Sequence, residues 1–459
     1  MDFYTIILTG LVLANAGLLY GPRWRRKSED STLTNVSRAL SNITRLFGIF
    51  RGERDLSLEY TFLPVYVLVV ASDWLQGPYL YSLYKLTLGL PENTVAALFS
   101  TGFISGAISA TFIGNLADRY GRKKACLSFC IIYSLSCSLT LSSNILTLFI
   151  GRVLGGIGTT LLFTVFEAWL VTEFNRSQTA RDGSRLSDLL GLMTVLNSIT
   201  AVLSGLLSNT LAWYTSSSRA PFLASVVCLA LAFLAIFKEW SENYRNGGRF
   251  VPENQNTHAL SILKDKRILG LGVITTIFEG TMYLFVVFWS PALISARKNN
   301  ASDDPPFGLI FASFMAAMML GSQLASRFMS SSSATTSSDD SSRTAVARSF
   351  TAMVSLLHMS CWGLSWSVIR QTELAIFLAF CMYEFTIGVY YPNMGVLKSI
   401  LVKDEHRASV YALFRVPLNC FVFGGLALTK EGEAYRNNLF ITCSALLLIA
   451  VIIMHLSLR

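Results

Sequence analysis

Long apolar runs separated by short polar segments recur along nearly the whole chain. A helix needs about 20 mostly apolar residues to cross the hydrocarbon core of a bilayer. Runs of that kind fall near residues 3–20, 60–83, 94–117, 125–142, 145–171, 186–209, 220–238, 268–292, 306–328, 347–368, 372–397, 408–428 and 438–457. The pattern predicts an all-α membrane protein with one leading helix and twelve core helices. Two polar stretches interrupt it. KEWSENYRNGGRFVPENQNTHALSILKDKR, between the sixth and seventh core helices, suits a linker joining two six-helix halves. MSSSSATTSSDDSSR (329–343), after the eighth, has the composition of a disordered loop. The expected organisation is an anchor and basic segment over 1–59, a first half over 60–238, a linker over 239–267 and a second half over 268–459.

Composition strengthens the membrane assignment. Only 14% of the 459 residues are charged and 52% are hydrophobic, against roughly 25% charged in an ordinary soluble domain. The leading helix has no basic region before it and is followed by GPRWRRK. That order is the reverse of a signal peptide, and predicts a retained anchor that starts outside. Most of the 37 Lys and Arg residues fall before the first core helix or after even-numbered ones, which places those segments in the cytosol. The net charge of +9 then reflects topology and calls for no nucleic acid. Of the sequons headed by Asn35, Asn42, Asn175 and Asn300, only that of Asn300 lies outside in this topology. The eight cysteines show no metal-ligand spacing and read as core residues, so no metal or cofactor is expected. No nucleophile–base pairing or phosphate loop argues for an enzyme.

The halves repeat each other. Leu116-Ala117-Asp118-Arg119 lies over Leu324-Ala325-Ser326-Arg327, and Asp73 over Glu279, at nearly the same offset. Glu167 and Glu384 correspond at a slightly larger one, as the serine-rich loop would require. Such repetition is expected of a parallel-repeat transporter with its substrate site between the halves.

After the second core helix the chain reads GNLADRYGRKK (114–124), which resembles the major facilitator superfamily signature G-x-L-a-D-r-x-G-r-k-x at every defined position. The resemblance implies a conformational latch formed by Gly114, Asp118, Arg119, Gly121, Arg122 and Lys123. GRVLGGIG (151–158) is similar to the R-x-x-x-G-x-G pattern of many proton-coupled members, with Arg152 as its arginine. Several further blocks, including SDWLQGPYLYSLY (72–84), LLFTVFEAWLVTEF (161–174), SENY (241–244), FEGTMYLFVVFWSPAL (278–293), YYPNMGVLKS (390–399) and FRVPLN (414–419), resemble the molybdate-anion transporter family within that superfamily. The resemblance implies molybdate uptake across a cell membrane.

The polar residues inside apolar runs are the candidate site. An arginine near the centre of a spanning helix costs about 2.5–3.5 kcal/mol on insertion scales, so Arg415 should be compensated. It could meet an anion or pair with a buried glutamate. Molybdate is a dianion, and one arginine 4 Å away supplies about 8 kcal/mol at an effective dielectric of 20, too little to replace its hydration. Gln76, Tyr79, Tyr283, Tyr390, Asn393 and Asn419 are the further donors expected. Asp73, Glu167, Glu279, Glu384 and Arg152 are read as buried charges, the acids as candidate proton carriers. Proton coupling is expected on energetic grounds, because moving two negative charges inward costs about 4.6 kcal/mol per 100 mV. Sulfate, another anion, or a non-transporting receptor with the same fold are the alternative readings.

Overall fold

The apolar runs form helices because a backbone in hydrocarbon must satisfy its own hydrogen bonds. The computed structural model describes residues 2–20, 58–176, 183–244, 265–298, 304–330, 338–402 and 407–458. The basic segment after the leading helix, most of the linker and of the serine-rich loop, and Asn35, Asn42 and Asn300 lie outside the described residues. The helices are α1 (Phe3–Tyr20), α2 (Leu58–Trp74), α3 (Glu92–Ser109), α4 (Ile113–Tyr120), α5 (Arg122–Thr140), α6 (Ile145–Arg176), α7 (Gly183–Thr215) and α8 (Ala220–Glu239), followed by α9 (Lys266–Lys298), α10 (Phe307–Ser330), α11 (Ser338–Ile369), α12 (Glu373–Leu401), α13 (Arg407–Ala427) and α14 (Glu433–Leu458). No strand occurs among the described residues. Nine spans among them are long and apolar enough to cross a bilayer, and ten if α3 and α4 together count as one. The apolar stretches of α1 and α13, Phe3–Leu19 and Leu413–Ala427, are shorter.

Two expected helices are not regular α-helices throughout. The span predicted over 94–117 is broken into α3 and α4, which meet at 52°. At the break the Ser109 hydroxyl donates to the Gly106 carbonyl (3.0 Å) and the Thr111 hydroxyl to that of Ile108 (2.7 Å), local bonds that compete with the helical ladder. The span predicted over 60–83 passes from α2 into a 3₁₀ turn at Gly77–Tyr79, a single α-turn at Leu80–Ser82 and a π-turn at Leu83–Thr87. Pro78 supplies the cause, having no N–H to continue the ladder.

The helices gather into two compact units. The N-terminal unit comprises Leu19–Gly89 and Thr101–Phe250; the C-terminal unit comprises Met1–Leu18, Leu90–Ser100 and Val251–Arg459. In the first, Phe62, Trp169 and Trp240 stack at the core, with Trp169 and Trp240 3.8 Å apart. In the second, Phe285, Phe314, Phe380 and Tyr383 interlock. There α10 and α12 approach so closely that a Cβ on Gly388 would lie 2.8 Å from the Met318 carbonyl carbon.

The leading helix belongs to the C-terminal unit. The Tyr4 hydroxyl donates to Glu373 Oε1 (2.6 Å), which also pairs with Arg297 (2.9 Å). Asn15, buried, donates to the Ala316 carbonyl (2.9 Å) and accepts from Gln323 (3.1 Å), and Arg327 donates to the Leu18 carbonyl. These contacts advance together along α1 and α10, so the two helices run in the same direction.

Candidate functional site

In the C-terminal unit three helices bring charged and phenolic side chains together. α9 and α13 pack closely: a Cβ on Gly272 would lie 2.6 Å from the Phe414 ring, and one on Gly425 2.8 Å from Leu284. From α9, Glu279 projects towards α12. Its Oε1 accepts a hydrogen bond from the Tyr390 hydroxyl (2.9 Å) and lies 3.6 Å from Lys398 Nζ. The Tyr390 ring is stacked on Phe278 at 4.2 Å, fixing the hydroxyl. Lys398 Nζ also stands 5.4 Å from the centre of the Tyr411 ring on α13, a cation–π distance.

Tyr411 and Arg415 are four residues apart on one helix and share a face, so the Lys398 ammonium is carried to the side of α13 that bears Arg415. Arg415 is exposed and has no hydrogen-bond or ion-pair partner among the described residues; it is an electrostatic neighbour of Tyr283, as is Glu279. It is the ninth of the 21 residues of α13, two positions before the helix midpoint. The helix continues across Pro417, leaving Asn419 half-buried one turn further on. Asn393 is buried; its amide nitrogen donates to the Val389 carbonyl (2.8 Å), and its Oδ1 has no partner among the described residues. Glu384 is buried at 6% exposure, also without a hydrogen-bond or ion-pair partner among them.

The N-terminal unit holds a second cluster. Asp73, just before the break in its helix, accepts a hydrogen bond from the Tyr133 hydroxyl of α5. Arg152 of α6 is an electrostatic neighbour of Asp73, Tyr84 and Tyr133. Its guanidinium lies across Gly102, where a Cβ would be 2.8 Å from Nη2. Gln76 turns back on its own helix, donating to the Ser72 carbonyl (2.8 Å), and Tyr79 is buried. Glu167 is exposed, contrary to the burial expected from the sequence; it lies between the buried Phe166 and Trp169 along α6 and is an electrostatic neighbour of Tyr66 on α2.

The signature loop is built into the same unit. Asp118 Oδ1 accepts from Arg122 Nη2 (2.6 Å) and Nε (2.9 Å), and Arg122, buried, donates also to the Ala168 carbonyl (2.8 Å) and the Thr172 hydroxyl of α6. Gly121 has φ 110°, a left-handed conformation that favours glycine, and a Cβ there would lie 2.7 Å from the Glu242 carboxylate. Glu242 caps the start of α5 by accepting from the backbone N–H of Lys123 (2.8 Å) and Lys124 (3.2 Å). Asn243 extends the strap, accepting from the Arg122 N–H (3.1 Å) and donating to the Trp169 carbonyl and Glu173. Gly114 faces Thr164, and Arg119 is exposed with its guanidinium over the Tyr120 ring. Lys123 Nζ donates to the Phe237 carbonyl (3.1 Å).

Sequence reasoning missed Lys398 and Glu242. Lys398 lies one turn from the end of α12, where lysines ordinarily reach for the interface, and its contacts with Glu279 and the Tyr411 ring set it apart.

Comparison with known proteins agrees with this architecture. A family profile described as sugar transporters, 12 TM, matches residues 53–362. The molybdate-anion transporter of Xenopus tropicalis is 30% identical over 86% of this chain and 84% of its own. That of Danio rerio is 32% identical over 85% of each. A variant of the nucleoside transporter NupG superposes with a TM-score of 0.66 at 14% identity, covering 88% of this chain and all of that one, a likeness of fold alone. The chain belongs to the molybdate-anion transporter family of the major facilitator superfamily.

Proposed function

We propose that the protein is a secondary carrier of molybdate in the cell membrane, working by alternating access, with twelve core spans and one leading helix. The names of its relatives support that substrate. The observation that carries the reading is that Lys398 Nζ stands 5.4 Å from the ring of Tyr411, which lies one turn before Arg415 on the same face of α13. Two cations match the charge of a dianion. At an effective dielectric of 20, each supplies about 8 kcal/mol against a double charge at 4 Å. The arginine fork can add two parallel hydrogen bonds to a tetrahedral oxyanion, with the Tyr283, Asn393 and Asn419 side chains as further donors.

Coupling to protons belongs to the same proposal. A cotransported proton needs a carboxyl that can be neutral inside the bilayer. Glu384, buried and outside any ion pair among the described residues, fits that role better than Glu279 with its lysine or Asp73 with its tyrosine and nearby arginine. The test is uptake of labelled molybdate into proteoliposomes with and without an inward proton gradient. Accumulation that requires the gradient and withstands excess sulfate is expected. Equal uptake without the gradient overturns the coupling, and no molybdate uptake overturns the carrier reading.

A further inference from the structure

We propose that Glu279 is a resident counter-ion, which holds Lys398 in the empty carrier and surrenders it to the incoming oxyanion. The inference rests on the carrier reading above. In an apolar bundle an unpaired ammonium is costly, so a cation that awaits an anion needs a temporary partner. Glu279 has the geometry of one that can be displaced. Its contact with Lys398, 3.6 Å, is longer than the 2.7–2.9 Å of a tight charge-assisted bond. Its contact with Tyr390, 2.9 Å, is well made and falls on the same oxygen. When the ammonium leaves, the carboxylate keeps a donor.

Both partners also remain partly accessible, with side-chain exposures of 17% for Lys398 and 20% for Glu279, so an anion can approach without prior unpacking. The lysine stem is flexible, and its ammonium already stands over Tyr411, one turn from Arg415. A short swing therefore takes it from carboxylate to substrate. Glu279 competes with the anion for Lys398, and affinity is held below what the two cations alone would give. The arrangement limits how tightly substrate is bound and so permits its release.

The exchange is tested by equilibrium binding of labelled molybdate to the purified full-length protein in nanodiscs. Five proteins are compared: the parent, Glu279→Gln, Lys398→Gln, Lys398→Arg and the Glu279→Gln, Lys398→Gln double variant. Glu279→Gln should bind at least about tenfold more tightly, equivalent to 1.4 kcal/mol, while its maximal transport rate falls. Lys398→Gln should bind more weakly, Lys398→Arg should recover part of the loss, and the gain from Glu279→Gln should vanish in the double variant. A purely structural role for Glu279 would not tighten binding. If Glu279→Gln does not fold, Glu279→Asp, which withdraws the carboxylate by one methylene, should tighten binding in the same direction. Unchanged or weaker affinity in a folded Glu279 variant, or a gain that persists without Lys398, overturns the exchange alone. Absence of molybdate binding by the parent overturns the carrier reading as well.

Discussion

The Asp118–Arg122 pair makes a prediction that can be worked from its geometry. The guanidinium is only 10% exposed and the carboxylate 26%, and two of the arginine's nitrogens share one aspartate oxygen at 2.6 and 2.9 Å. Replacing Asp118 by Asn keeps an acceptor but removes the charge. Breaking a buried pair by removing one partner costs about 3–5 kcal/mol, and the partial exposure of the carboxylate reduces this to about 2–3 kcal/mol by solvent screening. For a cooperative unit of this size, 1 kcal/mol moves the melting temperature by about 2–4 °C, so the midpoint should fall by about 4–12 °C. The assay is thermal unfolding of purified protein in one detergent at one scan rate. Asp118→Glu, which retains the charge, should lose less than Asp118→Asn. A midpoint for Asp118→Asn within about 1 °C of the parent would refute the pair's contribution and leave Arg122 sufficiently held by the Ala168 carbonyl and Thr172.

Other positions test the packing. A Cβ on Gly156 would lie 2.6 Å from the Gly106 nitrogen, so Gly156→Ala should destabilise the N-terminal unit by about 1–3 kcal/mol; an unchanged midpoint would show that α3 yields freely. Asn15→Leu removes the bond to Ala316 and leaves Gln323 without its acceptor on α1. It should lower the melting temperature of the full chain, whereas Leu13→Ala, at an exposed position of the same helix, should not. Glu384→Gln should abolish the dependence of molybdate uptake on a proton gradient while leaving exchange of molybdate across the membrane intact, and a retained gradient dependence would remove Glu384 from the coupling.

The helical class, the burial of Glu384 and the signature loop were legible in the sequence because each depends on local pattern: apolar length, an acid within an apolar run, and glycine at fixed spacing. Breaks and partners were less so. Pro78 lies in plain view, but the bend between α3 and α4 depends on small hydroxyl side chains that read equally well as helical. Glu167 looked buried because its run is apolar on all sides; which side faces the unit emerges only from packing of Phe166 and Trp169. The roles of Glu242 and Lys398 depend on residues more than a hundred positions away, Lys123 and Glu279, and no periodicity within their own segments reveals them. Arg415 was visible as a cation within an apolar run, whereas the approach of Lys398 to Tyr411, one turn before it on α13, was not.

The central claim is that Lys398 and Arg415 together meet a dianion. The measurement that tests it most directly is concentration-dependent uptake of labelled molybdate by proteoliposomes containing the parent, Lys398→Gln or Arg415→Gln at equal protein content. Saturable uptake by the parent, with the half-saturating concentration raised at least about tenfold in each variant, is the predicted result. Two folded variants that take up molybdate with the parent's half-saturating concentration would contradict it.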